Sequence, residues 1–511
     1  LLLEVLSRNY YRYDMLGRLY QRVRDTHLGT DRSALVDPED GDSPAFIVQF
    51  DAGSRPVQER DPNGNIAVRS YDGSDRLLNA SDAVGNGELR EYDAESNVVR
   101  LTEIEVSQAG GATRLEAFVT TYAYDELNRC VEIRARGLNG HSVEHPSYFG
   151  YDSRHNVRLT EDAAGRVVLS AYDYRDRKIG VRWFDSDPFA AAARELFRYT
   201  FTYDRNGRRT EERVLADLND PLSAEVTRYQ YDAYGRPTVA VYPGGTGDRR
   251  EMAFDQNSNL IAVTDGRGVT VRNIYDAGNR LIEQKITGPG PTAGVTRQTF
   301  KYDPLNRLTL ARNNYAQVRR TYDANSRPIR ETQSIRMDGQ GFDAGWQHPV
   351  TVAWRYDKAS NRTDLRVLNG KTKELGITTV FDSLNRAAEL RASYFDRADR
   401  RVARLSYVGP SRLARKVLGN GLVCSSQYDA KRRLRALTWT PPSDAAIAAM
   451  EYAYDSMDYV QHERHLHDRG RYDRFQYNNR YELAGASYQA GGGVPAAAPQ
   501  EHFTYDDAMN R

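Results

Sequence analysis

The sequence predicts an all-β chain, a long antiparallel array of short β-hairpins without a solid core. Three observations predict it. One aromatic-Asp unit recurs along the 511 residues, turn residues fall at a steady spacing, and the composition is too polar to fill an interior.

The unit comes first. Eighteen copies begin with Tyr or Phe followed by Asp, at 13, 50, 71, 92, 124, 151, 172, 203, 231, 254, 275, 302, 322, 356, 381, 428, 454 and 505. Clear copies are Tyr13-Asp14-Met15-Leu16-Gly17-Arg18-Leu19, Tyr71-Asp72-Gly73-Ser74-Asp75-Arg76, Tyr124-Asp125-Glu126-Leu127-Asn128-Arg129, Tyr231-Asp232-Ala233-Tyr234-Gly235-Arg236 and Tyr302-Asp303-Pro304-Leu305-Asn306-Arg307. Five residues after the aromatic, 12 copies carry Arg and five carry Asn, with Tyr459 the exception. Four residues after it, 15 carry Gly, Asn, Ser or Asp. Asp suits the first position of a type I turn, where its side chain bonds backbone amides ahead of it. The residue before the Arg is expected in the left-handed conformation, which Gly and Asn tolerate best. Ser54, Ser258 and Ser326 are therefore expected to mark looser turns. Tyr and Arg flank the turn and are expected to pack across the hairpin mouth.

The spacing comes second. Copies 50, 71 and 92 are separated by 21 residues, and a second turn falls inside each interval, as in Asp61-Pro62-Asn63-Gly64-Asn65 and Asp82-Ala83-Val84-Gly85-Asn86. Turn aspartates thus fall at 51, 61, 72, 82 and 93. Steps of this size leave room for two short strands per unit. An odd repeat length in a structure of period two requires a β-bulge in each unit.

The composition comes third. Charged residues make up 28%, and 34 tyrosines stand against 15 phenylalanines, which suits a sheet with much wetted surface. The net charge of +1 argues against nucleic-acid binding as the main task, which leaves a basic footprint. No apolar run approaches the ~20 residues of a membrane helix. Two cysteines, Cys130 and Cys424, are too few for a disulfide framework.

These residues resemble the YD repeats, also called Rhs repeats, whose motif is Tyr-Asp-x-x-Gly-Arg-Leu. The resemblance runs from Tyr11 to Arg511. Relatives include bacterial Rhs polymorphic toxins, the B and C subunits of insecticidal toxin complexes, and teneurins. The resemblance implies one long antiparallel sheet of hairpins that spirals into a hollow shell, of which this chain is a part. It also implies a role: the shell encapsulates a C-terminal toxin cargo absent from this chain. The partners are then that cargo and the neighbouring shell repeats, and the expected location is secreted or cell-surface associated in a bacterium. The cleavage core in which paired aspartates release the toxin is not found here, so no catalytic residues carry over and no enzyme activity is expected. A second reading, from another class, is a cell-surface adhesion or carbohydrate-binding module that recognises a glycan or receptor.

The organisation expected is one repeat domain over 1–511, continuing at both ends, with its largest inter-repeat insertion at 382–427 and a flexible Gly/Ala/Pro loop at 489–500. Ala190-Ala191-Ala192-Ala193-Arg194-Glu195-Leu196 is expected to form a helical turn or two. Outside the repeat, candidates for chemistry are few. His462-Glu463-Arg464-His465-Leu466-His467-Asp468 is the densest histidine cluster. On a strand His465 and His467 share a side, but two ligands do not make a zinc site, and a solvated strand is the expectation. His141 and His145 flank a loop. Cys130 stands where the repeat expects Leu and reads, like Cys424, as an apolar strand residue. No metal or cofactor site is expected.

Overall fold

The structure, a computed structural model, describes residues 9–24, 45–107, 114–138, 146–215, 224–243, 248–289, 294–336, 347–369, 372–395, 399–477, 483–489 and 500–503, apart from 164, 444 and 456–457. These residues hold 39 strands, β1 (Asn9–Tyr13) to β39 (Gln500–His502), in one antiparallel sheet without a helix. Each strand pairs with its neighbours in sequence, as β1 with β2 (Leu19–Arg24) and β2 with β3 (Ala45–Phe50). The connections therefore alternate between two edges of a ribbon. Every described copy of the repeat turn lies on one edge, and the connections of variable length lie on the other.

A bulge sits at the aromatic of each hairpin. The register shifts between Arg12 and Tyr13, between Ser70 and Tyr71, and between Ile274 and Tyr275. It gives each 21-residue unit its odd residue and restores the alternation for the next strand.

The alternation divides the sheet into two faces. In β21 (Thr270–Tyr275), Tyr275 and Asn273 are half-buried on the face of the motif aromatics, while Ile274 and Arg272 are exposed on the other. No second layer covers either face among the described residues. Val23 and Val167 are the largest fully buried side chains, and the remaining buried apolar residues, such as Phe118, Phe184 and Leu310, are scattered. The hairpins are held by ladder hydrogen bonds and by contacts along the edge.

The ribbon comes back on itself. Val408 at the end of β31 (Arg400–Val408) pairs with Ser107 at the end of β8 (Val98–Ser107), and the Gly409 amide bonds the Val106 carbonyl at 3.1 Å. These strands are 23 apart in the ribbon. At a strand spacing of ~4.8 Å, one winding is about 110 Å around and ~35 Å across.

Two expectations are corrected. The span 382–427 is not an insertion: among its described residues it carries Ala387–Tyr394 (β30), β31, Arg412–Leu418 (β32) and the start of Val423–Tyr428 (β33). The turn at Tyr407 has Val408 where the motif has Asp, so this stretch lacks the aromatic-Asp signature. The alanine run forms successive turns (Ala190 N to Asp187 O, 3.0 Å; Ala193 N to Ala190 O, 3.1 Å) instead of a helix. It is too short to nucleate one, and the pairing of Phe184 with Glu195 pins its ends. The loop 490–499, the histidines at 141 and 145, and the copy at Tyr505 lie outside the described residues.

Candidate functional site: the tyrosine edge and the seam

Each turn on the tyrosine edge is built in one way. The Asp232 amide donates to the Arg236 carbonyl at 3.0 Å, and the Gly235 amide to the Asp232 carbonyl at 3.1 Å. Asp232 Oδ1 accepts the amides of Tyr234 (2.9 Å) and Arg236 (3.0 Å), and Oδ2 accepts Arg236 Nε at 2.7 Å. Asp14 with Arg18, Asp72 with Arg76, Asp125 with Arg129 and Asp303 with Arg307 repeat this at 2.6–2.7 Å. The fourth position is left-handed in every described copy, from Gly17 (φ 74°) to Asp75 (65°), Asn128 (58°), Gly235 (84°) and Asn306 (62°). The serines are no looser: Ser54, Ser258 and Ser326 have φ of 62–67° and keep the same turn hydrogen bond at 3.0–3.2 Å.

The arginine does not pack across its own hairpin mouth. It reaches forward to the next one. Arg55 lies over the ring of Tyr71, Arg129 over Tyr151, Arg208 over Tyr231, and Arg280 over Tyr302, at 4.6–5.3 Å. Its Nη1 donates to the carbonyl of the next turn aspartate, as Arg236 does to Asp255 O at 2.8 Å. The tyrosine hydroxyl closes the link backwards. Tyr71 donates to Pro56 O, Tyr124 to Val98 O, Tyr231 to Arg209 O and Tyr302 to Leu281 O, at 2.7–3.0 Å. Tyr13, at the start of the series, is 59% exposed. Where the motif carries Arg, one charge-assisted hydrogen bond and one stacking contact therefore tie a hairpin to the next.

Departures from the motif keep this logic. Where Asn replaces Arg, its amide reaches the next left-handed residue, as Asn361 Nδ2 does to Asn385 Oδ1 at 2.7 Å. Tyr459 packs its ring against Tyr477, 4.9 Å between centroids and tilted by 46°, where other copies place a guanidinium. That contact, with the Tyr477 hydroxyl on Val460 O at 3.0 Å, identifies Tyr477 as a further copy. Tyr407 is another: Arg386 stacks on it at 4.5 Å, and Arg412, five residues later, stacks on Tyr428 at 4.9 Å. The Tyr-to-Arg spacing of five, without the Asp, is the signal that finds it.

The Tyr407 copy forms the seam between windings. With Val408 in place of Asp, Arg412 has no turn carboxylate and pairs instead with Glu105 of β8. Arg432, at a left-handed position that in most copies holds Gly, Asn, Ser or Asp, meets Glu103 at 3.1 Å and Glu105 at 3.0 Å, over the Phe118 ring at 4.1 Å. The Glu105 side chain is 6% exposed. Burial, with the Arg432 charge beside it, lowers the Arg412 pKa below its usual range. A second bridge lies nearby in the ribbon: Asn63 Nδ2 donates to Asp357 Oδ2 and Asn385 Oδ1, and Asn385 Nδ2 to Asp61 Oδ2, all at 3.0 Å. The Asp61–Asn65 stretch is itself a turn of the repeat type (Gly64 N to Asp61 O, 2.9 Å).

The other candidates stay local. His465 ends its strand and pairs with Asp473 at 3.1 Å, while His467 lies in the following turn against Ala449. Among the described residues no three His, Cys, Asp or Glu side chains are arranged to hold a metal ion. Cys130 and Cys424 are both free thiols, and burial raises the pKa of each.

Asp382 isolates the contribution of a turn carboxylate. Its Oδ1 accepts the amides of Leu384 (2.9 Å) and Arg386 (3.0 Å), and its Oδ2 accepts Arg386 Nε (2.8 Å). Asp382→Ala is expected to destabilise the chain by about 2 kcal/mol in urea unfolding. A loss under 0.5 kcal/mol, the ordinary range for surface changes, would contradict this.

A ribbon of tyrosine-linked hairpins that winds back and touches its earlier strands along one edge defines a class, the open β-shell wall. No family model matches the chain, and no curated protein matches it. Among solved structures it is similar to the Tc holotoxin pore of Photorhabdus luminescens, with a TM-score of 0.56 and 14% identity over 97% of this chain and 27% of that one. It is similar to TcdB2-TccC3-TEV, with a TM-score of 0.55 and 13% identity over 97% and 27%. At this identity the likeness is one of fold, and the chain spans about a quarter of the length of the chains it matches. The fold is the one the Rhs/YD resemblance implies.

Proposed function

We propose that this chain is a stretch of shell wall whose task is to sequester a C-terminal cargo, and that it performs no catalysis itself. The observation that carries the reading is the seam. A flat adhesive array has no use for residues that depart from the repeat only to join one winding to the one before it. The partners in this reading are the cargo and the neighbouring repeats, and the location is secreted or cell-surface associated. The fold shared with Tc-complex chains supports it.

Negative-stain electron microscopy of the chain extended to its natural ends tests it. A closed particle with density inside is expected. A flat or rod-like particle without a lumen would overturn the reading and favour a glycan- or receptor-binding role. Nuclease, deaminase or glycosidase activity from residues 1–511 would overturn the non-catalytic part.

A further inference from the structure

The near-zero net charge hides a segregation. Eight strands lie side by side from β21 to β28: β21, Leu281–Thr287 (β22), Arg297–Tyr302 (β23), Leu308–Asn313 (β24), Ala316–Tyr322 (β25), Pro328–Ile335 (β26), Gln347–Tyr356 (β27) and Arg362–Asn369 (β28). On their face opposite the motif tyrosines, strand alternation and register place nine Lys or Arg side chains against two acids, Glu283 and Asp364. Arg272, Lys301, Arg319, Arg330 and Arg355 are exposed there, and none has an ion pair among the described residues. Arg272, Lys285 and Arg297 stand directly opposite one another on three adjacent strands. Glu283 reaches into that row, 3.6 Å from Lys285 and 2.9 Å from Arg297.

Like charges directly opposite on adjacent strands destabilise a sheet, so the fold gains nothing from this arrangement. An anion lying across the strands would relieve it. We propose that this face is a docking surface for an acidic polypeptide segment, whose carboxylates meet the guanidinium row. Guanidinium groups bind carboxylates in a planar, two-point fashion. Among the described residues no aromatic side chain stands on this face of the eight strands to stack a base, which single-stranded nucleic acid requires for tight binding.

The test is fluorescence anisotropy with the whole chain and a labelled oligoglutamate peptide. The triple variant Arg319→Glu, Arg330→Glu, Arg355→Glu is compared with Arg158→Glu, Arg415→Glu, Arg435→Glu. The second set makes the same charge change at exposed positions elsewhere on the ribbon. Salt-sensitive binding is expected, weakened about tenfold or more by the first set and little by the second. Far-UV circular dichroism checks the fold, and the milder Arg→Gln trio at 319, 330 and 355 is expected to weaken binding in the same direction. No binding at low salt, or equal loss in both triple variants, would overturn the docking surface. Tighter binding of labelled oligothymidine than of oligoglutamate would overturn the choice of an acidic polypeptide.

Discussion

Glu105→Ala is expected to part the two windings and destabilise the chain by about 3–5 kcal/mol, the loss typical of breaking a buried ion pair from one side. The variant strands the guanidinium groups of Arg412 and Arg432 in a site where Arg412 is already held below its usual pKa by burial. Gly409 adds a steric limit. Its φ of +60° belongs to the left-handed region, and a Cβ there would fall 2.6 Å from the Glu105 carboxylate. The seam is thus fitted to glycine, glutamate and arginine together. Hydrogen exchange checks the result at the Gly409 amide, which bonds Val106 O across the seam. Its protection is expected to collapse in Glu105→Ala. It should survive in Glu91→Ala, which removes an exposed pair with Arg100 (3.5 Å) worth under about 1 kcal/mol. Unchanged protection at Gly409 in Glu105→Ala would show that backbone pairing alone joins the windings.

The chain is also expected to unfold steeply in acid. The turn aspartates at 14, 51, 72, 125, 173, 204, 232 and 276 all have pKa values lowered from the usual 3.8. The causes are hydrogen bonds from the paired arginine, led by its side chain at Asp51, Asp125, Asp173 and Asp276 and by its backbone amide at Asp14, Asp72, Asp204 and Asp232. At Asp382 burial is the largest single influence and pushes upward, but the hydrogen bonds from Arg386 and Leu384 and the Arg386 charge together outweigh it, so its pKa too is lowered. A carboxyl group with a lowered folded pKa contributes stability that is complete above the unfolded value and lost as pH falls through the folded one. Melting temperature should therefore be nearly flat from pH 7 to about 5 and drop sharply below about 4. The drop should be steep because the same group titrates at turn after turn. A melting temperature unchanged at pH 3 would contradict the role assigned to the carboxylates.

Much of this was legible in the residues. A turn is a local object, decided by five consecutive side chains, so Asp232, Gly235 and Arg236 announce theirs wherever they stand. The odd period announced the bulge for the same reason. The reach of the arginine was not legible, because Arg55 spans to Tyr71 across a strand spacing that the sequence does not display. Nor was the strand content of 382–427, where a single Asp-to-Val change at 408 hid a copy that its neighbours still recognise.

The sequence by itself determined the hairpin, its turn, its bulge and the fact of repetition, since each depends on residues close together in the chain. Only the tertiary structure decided which windings touch. Glu105 and Arg412 are separated by 307 residues, and the partner of each depends on how many strands make one circuit. That number comes from the small twist and curl at each strand pair, summed over 23 pairs. No single hairpin specifies it, and so Glu105 gave no sign, read alone, that it would close the wall.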